Sequence, residues 1–399
     1  MNKYENILQE AQGLRQMIVN LRRDFHEYPE LSFKEFQTAK KVERFLKELG
    51  IETEMLANGS GVRGLLRGKK KGRTIALRAD MDALPIEEER NVPFKSQNSG
   101  AMHACGHDCH TAMLLGAAAI LEKRREELQG NVVFIFQPAE EIGEGAKKMV
   151  DEGVLEGVNS IFGLHITSSF DSGTFGYRTG PLLAAGDFFE VVINGKGAHG
   201  GMPHLSIDPI AIAASSILTI QTIISREIDP LESAVISICK ISTRGEAYNV
   251  IPDSVTFGGT IRYHNIKLAK YLPDRISEIL GGIVPGMRGS YKFELFRKFP
   301  ATINDEAMTT FASNVAEEAF GKEKVFCMNP RMGSEDFSYY LQKIPGTFIF
   351  LGAKNEEKGI VYPQHHPMFD IDEDALPLGA AMHSAIAVEY LAHPGWPDD

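Results

Sequence analysis

The chain has 399 residues, 43% of them apolar and 24% charged, which suits a folded protein of two or three domains and excludes wholesale disorder. Its formal charge of −11 argues against nucleic acid and anionic membrane as partners, because both favour a basic face. The 12 His and 4 Cys are unevenly spread, with His103, Cys105, His107, Cys109, His110, His365 and His366 in two short clusters.

The start, MNKYENILQEAQGLRQ, is polar and helical in period, unlike a signal peptide. Tyr4, Ile7, Leu8, Ala11, Leu14, Ile18 and Leu21 form one apolar face and predict a first helix. Ser32-Phe-Lys-Glu35 has the pattern of a capping box. The stripe Phe36, Ala39, Val42, Phe45, Leu46 and Leu49 predicts a second helix, stopped by Gly50. The basic run Arg67–Arg73 reads as an exposed turn between strands. Short apolar runs predict strands at Thr74–Arg78, Val132–Gln137, Ile161–His165 and Thr347–Leu351, with a helix over Cys109–Leu128 after the first. Buried strands alternating with helices imply an α/β fold with a mostly parallel central sheet.

The pattern changes near Gly186. Strands are predicted at Asp187–Asn194, Ala234–Ile241, Ser254–Arg262 and Tyr291–Phe296, with helices at Ile207–Arg226 and Leu268–Leu280. The order βαββαβ is that of a ferredoxin-like α+β unit. The expected division is one domain over residues 1–185 and 298–399, with a second domain inserted over 186–297. The longest apolar runs, Thr111–Leu121 and Ala211–Ile224, fall short of a membrane span. Four scattered cysteines make no disulfide framework, so a reducing cytoplasm is the expected setting.

Candidate ligands gather at a few places. Met102-His-Ala-Cys-Gly-His-Asp-Cys-His110 opens a helix, and a turn at Gly106 could aim Cys105 and His107 at one centre. Glu140 and Glu141 follow the strand VVFIF, His165 ends the strand IFGLH, Asp80 and Asp82 follow TIALR, and His365 and His366 lie near the C-terminus. Three of these groups sit at the carboxyl end of a strand, the edge where open parallel sheets bind ligands. Mixed carboxylate, thiolate and imidazole donors suit zinc or manganese better than calcium or magnesium. Taken singly, a strand-end His or a Glu-Glu pair is ordinary surface; it is their joint placement that points to a metal. One glutamate can bind metal while its neighbour takes a proton from water, although spacing does not say which does which. Beyond Gly186, the Gly-rich loop Gly195–Pro203 carries His199, Asn249 lies in AYNVIP, and Arg262 ends FGGTIR. The loop lacks both nucleotide-binding spacings.

At these residues the chain resembles the aminoacylase, hippurate hydrolase and indole-acetyl-amino-acid hydrolase branch of the two-metal amidohydrolases and peptidases. The stretches RRDFHEYPELSFKE, RADMDALPI, MHACGHDCHTAMLLG, FQPAEE, GLH, GKGAHGGMPH, AYNVIPD, GSEDFSYY and HHPMFDIDEDAL carry the resemblance, in this order, over nearly the whole chain. It implies a catalytic domain with an inserted lid. It further implies that Cys105, His107, Glu141, His165 and His365 bind two divalent metal ions per subunit, Mn2+, Zn2+ or similar, with Cys105 bridging. His365 rather than His366 fills the first place of the His-any-Pro motif. Glu140 would be the general base and acid. His199 would reach across a homodimer, or higher homo-oligomer, built through the lid and stabilise the oxyanion. Asn249 and Arg262 would hold the substrate carboxylate. Asp80 stands where the wider clan has a ligand His, and Asp82 fits the carboxylate that orients a ligand imidazole. The implied activity is hydrolysis of the amide bond of small N-acyl L-amino acids. A carboxypeptidase or dipeptidase, or a dedicated deacetylase of N-acetyl-diaminopimelate or N-acetyl-cysteine, is the alternative.

Overall fold

The computed structural model describes residues 3–243, 245 and 247–393. The chain divides into two compact units, one of Met1–Gly180, Ile303–Asn329 and Asp336–Asp399, the other of Pro181–Thr302 and Pro330–Glu335.

The first unit begins with helices α1 (Glu5–Gly13), α2 (Arg15–Glu27) and α3 (Phe36–Glu48). The expected single first helix is thus two, broken at Leu14 behind Gly13. The capping box does not form. Ser32 Oγ donates instead to Asp82 at 2.7 Å, and Glu30 accepts the first free N–H groups of α3, those of Gln37 and Thr38. Next come β1 (Glu52–Leu56), β2 (Gly61–Arg67), β3 (Lys70–Asp80), α4 (His107–Lys123), β4 (Gln129–Gln137) and β5 (Ser160–Asp171).

These strands join an eight-stranded sheet in the order β1-β2-β4-β3-β5, followed by Gly346–Lys354, Phe175–Tyr177 and Val325–Cys327. Its centre is parallel: β4 on β3, β3 on β5, and β5 on Gly346–Lys354. The outer pairs β1 with β2 and β2 with β4 are antiparallel. From β3 the chain moves to β4 on one side and then returns past β3 to β5 on the other. The carboxyl edge at such a reversal is the usual ligand position in sheets of this kind. Helix α4 is apolar on all sides, and every residue from His107 to Leu121 is buried, as a helix without a polar face requires. It starts two residues before the expected Cys109, because Gly106 turns the chain at φ 91°. A Cβ on Gly106 would lie 2.6 Å from Ile166, so no larger residue fits there. His165 does not end its strand. Pairing with Phe350 and beyond carries β5 on to Asp171.

The second unit holds a four-stranded antiparallel sheet in the order Ala234–Thr243, Ser254–Tyr263, Ala185–Asn194, Ser290–Phe299. Two helices, Pro209–Thr222 and Leu268–Gly286, pack on it and on each other, giving the ferredoxin-like order. The first of them is capped by Asp208, whose carboxylate accepts the Ile210 N–H at 2.9 Å, with Pro209 pre-set at the first helical position. Val191, Phe257, Ile261, Ile276 and Leu280 are among its buried core. By length and composition, the helical segments Pro209–Glu227 and Glu373–Ala392 do reach a membrane span, contrary to the expectation from apolar runs. The apolar window of the second is 83% buried, as in a core helix, and that of the first is 33% buried.

Candidate functional site

The carboxyl edge of the first unit's sheet brings together Cys105, His107, Glu140, Glu141, His165 and His365. Possible ligand atoms of Cys105, His107 and His165 lie within 4.8 Å of one another, as do those of Cys105, Glu141 and His365, and those of His107, Glu140 and Glu141. Each side chain has a local reason for its aim. His107 is the first residue of α4, just after the Gly106 turn, and its Nδ1 meets Asp82 Oδ1 at 3.2 Å. His165 turns its Nδ1 to the Ile166 carbonyl at 2.6 Å, which leaves Nε2 facing Cys105 Sγ at 3.5 Å. His365 takes a left-handed backbone, φ 65°, and its N–H donates to the Ala104 carbonyl at 2.7 Å. Its side chain is half exposed, and Nε2 lies 3.6 Å from Glu141 Oε1.

Asp82 organises the centre. Its Oδ1 also accepts the Glu140 N–H at 3.0 Å, and its Oδ2 accepts the Glu141 N–H at 3.1 Å and the Ser32 hydroxyl at 2.7 Å. A carboxylate so used has no capacity left for direct metal binding and serves to orient its neighbours. Asp80 is engaged by other partners, accepting from Arg78 at 2.7 Å and pairing with His110 Nδ1 at 2.5 Å, while its Oδ2 also lies 3.7 Å from His107 Nε2. His110 Nε2 in turn accepts the Ile166 N–H at 2.8 Å. Nothing in the local sequence signalled this Asp80–His110–Ile166 chain, because its members come from β3, α4 and β5.

Among the described residues, His107 Nε2 and Glu141 Oε1 are buried without a hydrogen-bond partner, 3.9 Å apart. With Nδ1 turned to Asp82, Nε2 is the ring nitrogen left facing the centre, and it offers a lone pair once its proton is released. Two facing atoms of this kind, beside a thiol and a second imidazole, fit a divalent cation that displaces the proton. The electrostatics agree. Burial pushes the Cys105 thiol well above its ordinary range, with Glu141 adding to the effect. Burial likewise raises Glu141 to about 7. Burial disfavours charge on His107, yet Asp80 and Cys105 raise its pKa well above the usual imidazole value. An excess of buried acceptors over protons is the field a cation would satisfy, with proton release on binding. His365 is lowered by burial and by His107.

Behind α4 lies a buried charge network that the sequence did not signal. Asp108 accepts from Arg22 Nε and meets His26 Nδ1, both at 2.8 Å, and Arg22 also reaches Asp370 and Glu373. It anchors the helix that carries His107.

His199, Asn249 and Arg262 lie in the second unit. His199 pairs with Val250 in a two-residue ladder, and the Gly200 N–H donates to the Asn249 carbonyl at 2.7 Å. Both His199 and Asn249 are exposed. His199 Nδ1 accepts the Gly201 N–H at 3.0 Å, which leaves the proton on Nε2. Arg262 is half-buried, donating to Thr260 at 3.0 Å and to Ser334.

Comparison with known proteins places this geometry in a family. Residues 76–389 match the model of peptidase family M20/M25/M40. The chain is 42% identical to thermostable carboxypeptidase 1 of Saccharolobus solfataricus, covering 98% of this chain and 99% of that one. It is 45% identical to IAA-amino acid hydrolase ILR1-like 4 of Arabidopsis thaliana, over 94% and 86%. It is 43% identical to N-acetylcysteine deacetylase of Bacillus subtilis, over 94% and 97%. Among solved structures, the Bacillus subtilis YXEP protein, described as a dinuclear metal binding peptidase, superposes with a TM-score of 0.83 at 39% identity, covering 96% of this chain and 99% of that one. The chain therefore belongs to peptidase family M20/M25/M40 and is a hydrolase of that family.

Proposed function

We propose that the protein is a metal-dependent amidohydrolase that splits N-acyl L-amino acids into a carboxylic acid and a free amino acid. The observation that carries this is the pair of buried atoms without a hydrogen-bond partner among the described residues, His107 Nε2 and Glu141 Oε1, beside Cys105, His165 and Glu140. Cys105, His107, Glu141, His165 and His365 would hold two divalent ions, zinc or manganese being the best match to these donors. When bound, such ions lower the pKa of water and polarise the amide carbonyl. Glu140, tied at its N–H to Asp82, takes the proton of the attacking water and delivers it to the leaving amine. His199, with its proton on Nε2, donates to the oxyanion, while Asn249 and Arg262 bind the free carboxylate of the substrate.

Homodimer formation through the second unit completes this reading. Ile210, Ala214 and Leu218 are exposed at four-residue spacing on one helix, and Val235 and Ile241 are exposed on the outermost strand, Ala234–Thr243. Leu218→Glu should shift the mass measured by sedimentation from dimer to monomer. A reducing, cytoplasmic setting suits a thiol ligand and the exposed free Cys239 and Cys327.

The names of relatives support two narrower readings, a carboxypeptidase and an N-acetylcysteine deacetylase. Turnover on N-acetyl and aromatic-acyl amino acids against dipeptides, with metal supplied, separates them. Preference for dipeptides over every N-acyl amino acid would replace the main reading with the peptidase one.

A further inference from the structure

The turn that carries the two glutamates is held by two buried acids, not one. Glu140 and Glu141 give their N–H groups to Asp82. The residue before them, Ala139, gives its N–H to Glu35 Oε1 at 2.8 Å. Pro138, one step earlier, has no N–H to give. Ala139 adopts the left-handed region at φ 55°, which a residue with a Cβ takes only when its surroundings hold it. Its carbonyl is fixed from the other side by the N–H of Gly145 at 3.1 Å.

Glu35 is fully buried, and its Oε2 has no hydrogen-bond partner among the described residues. A carboxyl placed so deep with one oxygen unused is costly for the fold. Burial first, then the charge of Asp82, pushes it up to about 8, so near neutral pH it is an uncharged acid. The backbone at Phe33 and at Glu35 itself also acts on this carboxyl, but those groups are its chain neighbours; the bond that reaches across the fold is the one to Ala139.

We propose that Glu35 is a positioning residue of the hydrolytic site: its carboxyl clamps the Ala139 N–H and so fixes the turn that aims Glu140 and Glu141. It rests on the reading above, in which Glu140 moves the proton and Glu141 binds metal. Without the clamp, Ala139 relaxes from its left-handed conformation and both glutamate side chains swing with it. The sequence hides this role, because Ser32-Phe-Lys-Glu35 reads locally as a capping box.

Two conservative variants of the full chain test it. Glu35→Gln keeps an oxygen in reach of Ala139 and matches the neutral acid. Glu35→Asp keeps an acid but withdraws it by one methylene. Each is titrated with cobalt(II), read by visible absorption, and assayed on an N-acetyl amino acid, with melting temperature recorded. Glu35→Gln should resemble wild type in cobalt affinity and turnover. Glu35→Asp should bind its weaker cobalt about tenfold or more less tightly, the loss typical when a group orienting a ligand is removed, and should lose kcat with KM nearly unchanged. If Glu35→Asp melts lower yet binds cobalt and turns over like Glu35→Gln, the residue is merely structural and the proposal fails. If Glu35→Asp weakens cobalt but the wild type cleaves no N-acyl amino acid, the positioning role stands and the proposed function falls.

Discussion

The two units hold their candidate residues in opposite ways. In the first unit, His107, Glu140 and Glu141 are anchored to a single buried carboxylate, Asp82, and His165 to its neighbour's carbonyl. In the second, His199 and Asn249 are exposed and, among the described residues, held by a two-residue ladder, backbone bonds and the Gly201 N–H on His199 Nδ1. The first arrangement is preorganised: possible ligand atoms already face one another, so metal binding there would cost little reorganisation. The second is presented outward, so its residues act only when substrate or another surface meets them. Different perturbations should therefore break the two halves.

The largest effect is expected in the first. Glu141→Ala removes a proposed ligand atom and should weaken metal binding about 100-fold, abolishing measurable turnover at micromolar metal; metal titration followed by assay checks this. If Glu141→Ala held metal as tightly as wild type, the contrast between the units would lose its basis. In the second unit, His199→Ala should lower kcat about 100-fold, as for the loss of one oxyanion donor, with metal affinity unchanged. Loss of metal by this variant would mean that His199 is a ligand rather than a donor, sharpening the division differently.

The smallest effect concerns the scaffold of the first unit. His383 is buried, its Nδ1 has no hydrogen-bond partner among the described residues, and burial, aided by His110, lowers it to about 3. The unfolded chain therefore binds its proton near pH 6.5 while the folded one does not. Its contribution to stability is fully present above that pH and falls away between 6.5 and about 3, with a slope of up to ~1.4 kcal/mol per pH unit. His383→Leu should flatten the acid limb of a denaturation series between pH 6 and 4. An unchanged slope would show that His383 is protonated in the folded protein.

Much of the architecture was legible because its signals are local. Apolar strand runs, the change of pattern near Gly186 and the Gly106 turn are all written in neighbouring residues. What was not legible depends on distant partners. His165 reads as a strand end, yet its strand runs on because Gly346–Lys354 pairs alongside it. Ser32 reads as a helix cap, yet it serves Asp82, fifty residues away. Asp80 stands where the wider clan has a ligand His and is not expected to bind metal itself, and only the fold reveals Arg78 and His110 as its partners. Long-range polar pairs leave no period in a sequence, so buried networks of this kind appear only with coordinates.

The central claim is that Glu140 moves the proton in amide hydrolysis at a centre of two divalent ions. Glu140→Gln, reconstituted with manganese or zinc and assayed on an N-acetyl amino acid beside wild type, tests it most directly. The predicted result is full metal content with kcat lowered about 1000-fold, in keeping with loss of a general acid–base group. Full metal content with wild-type turnover would contradict it.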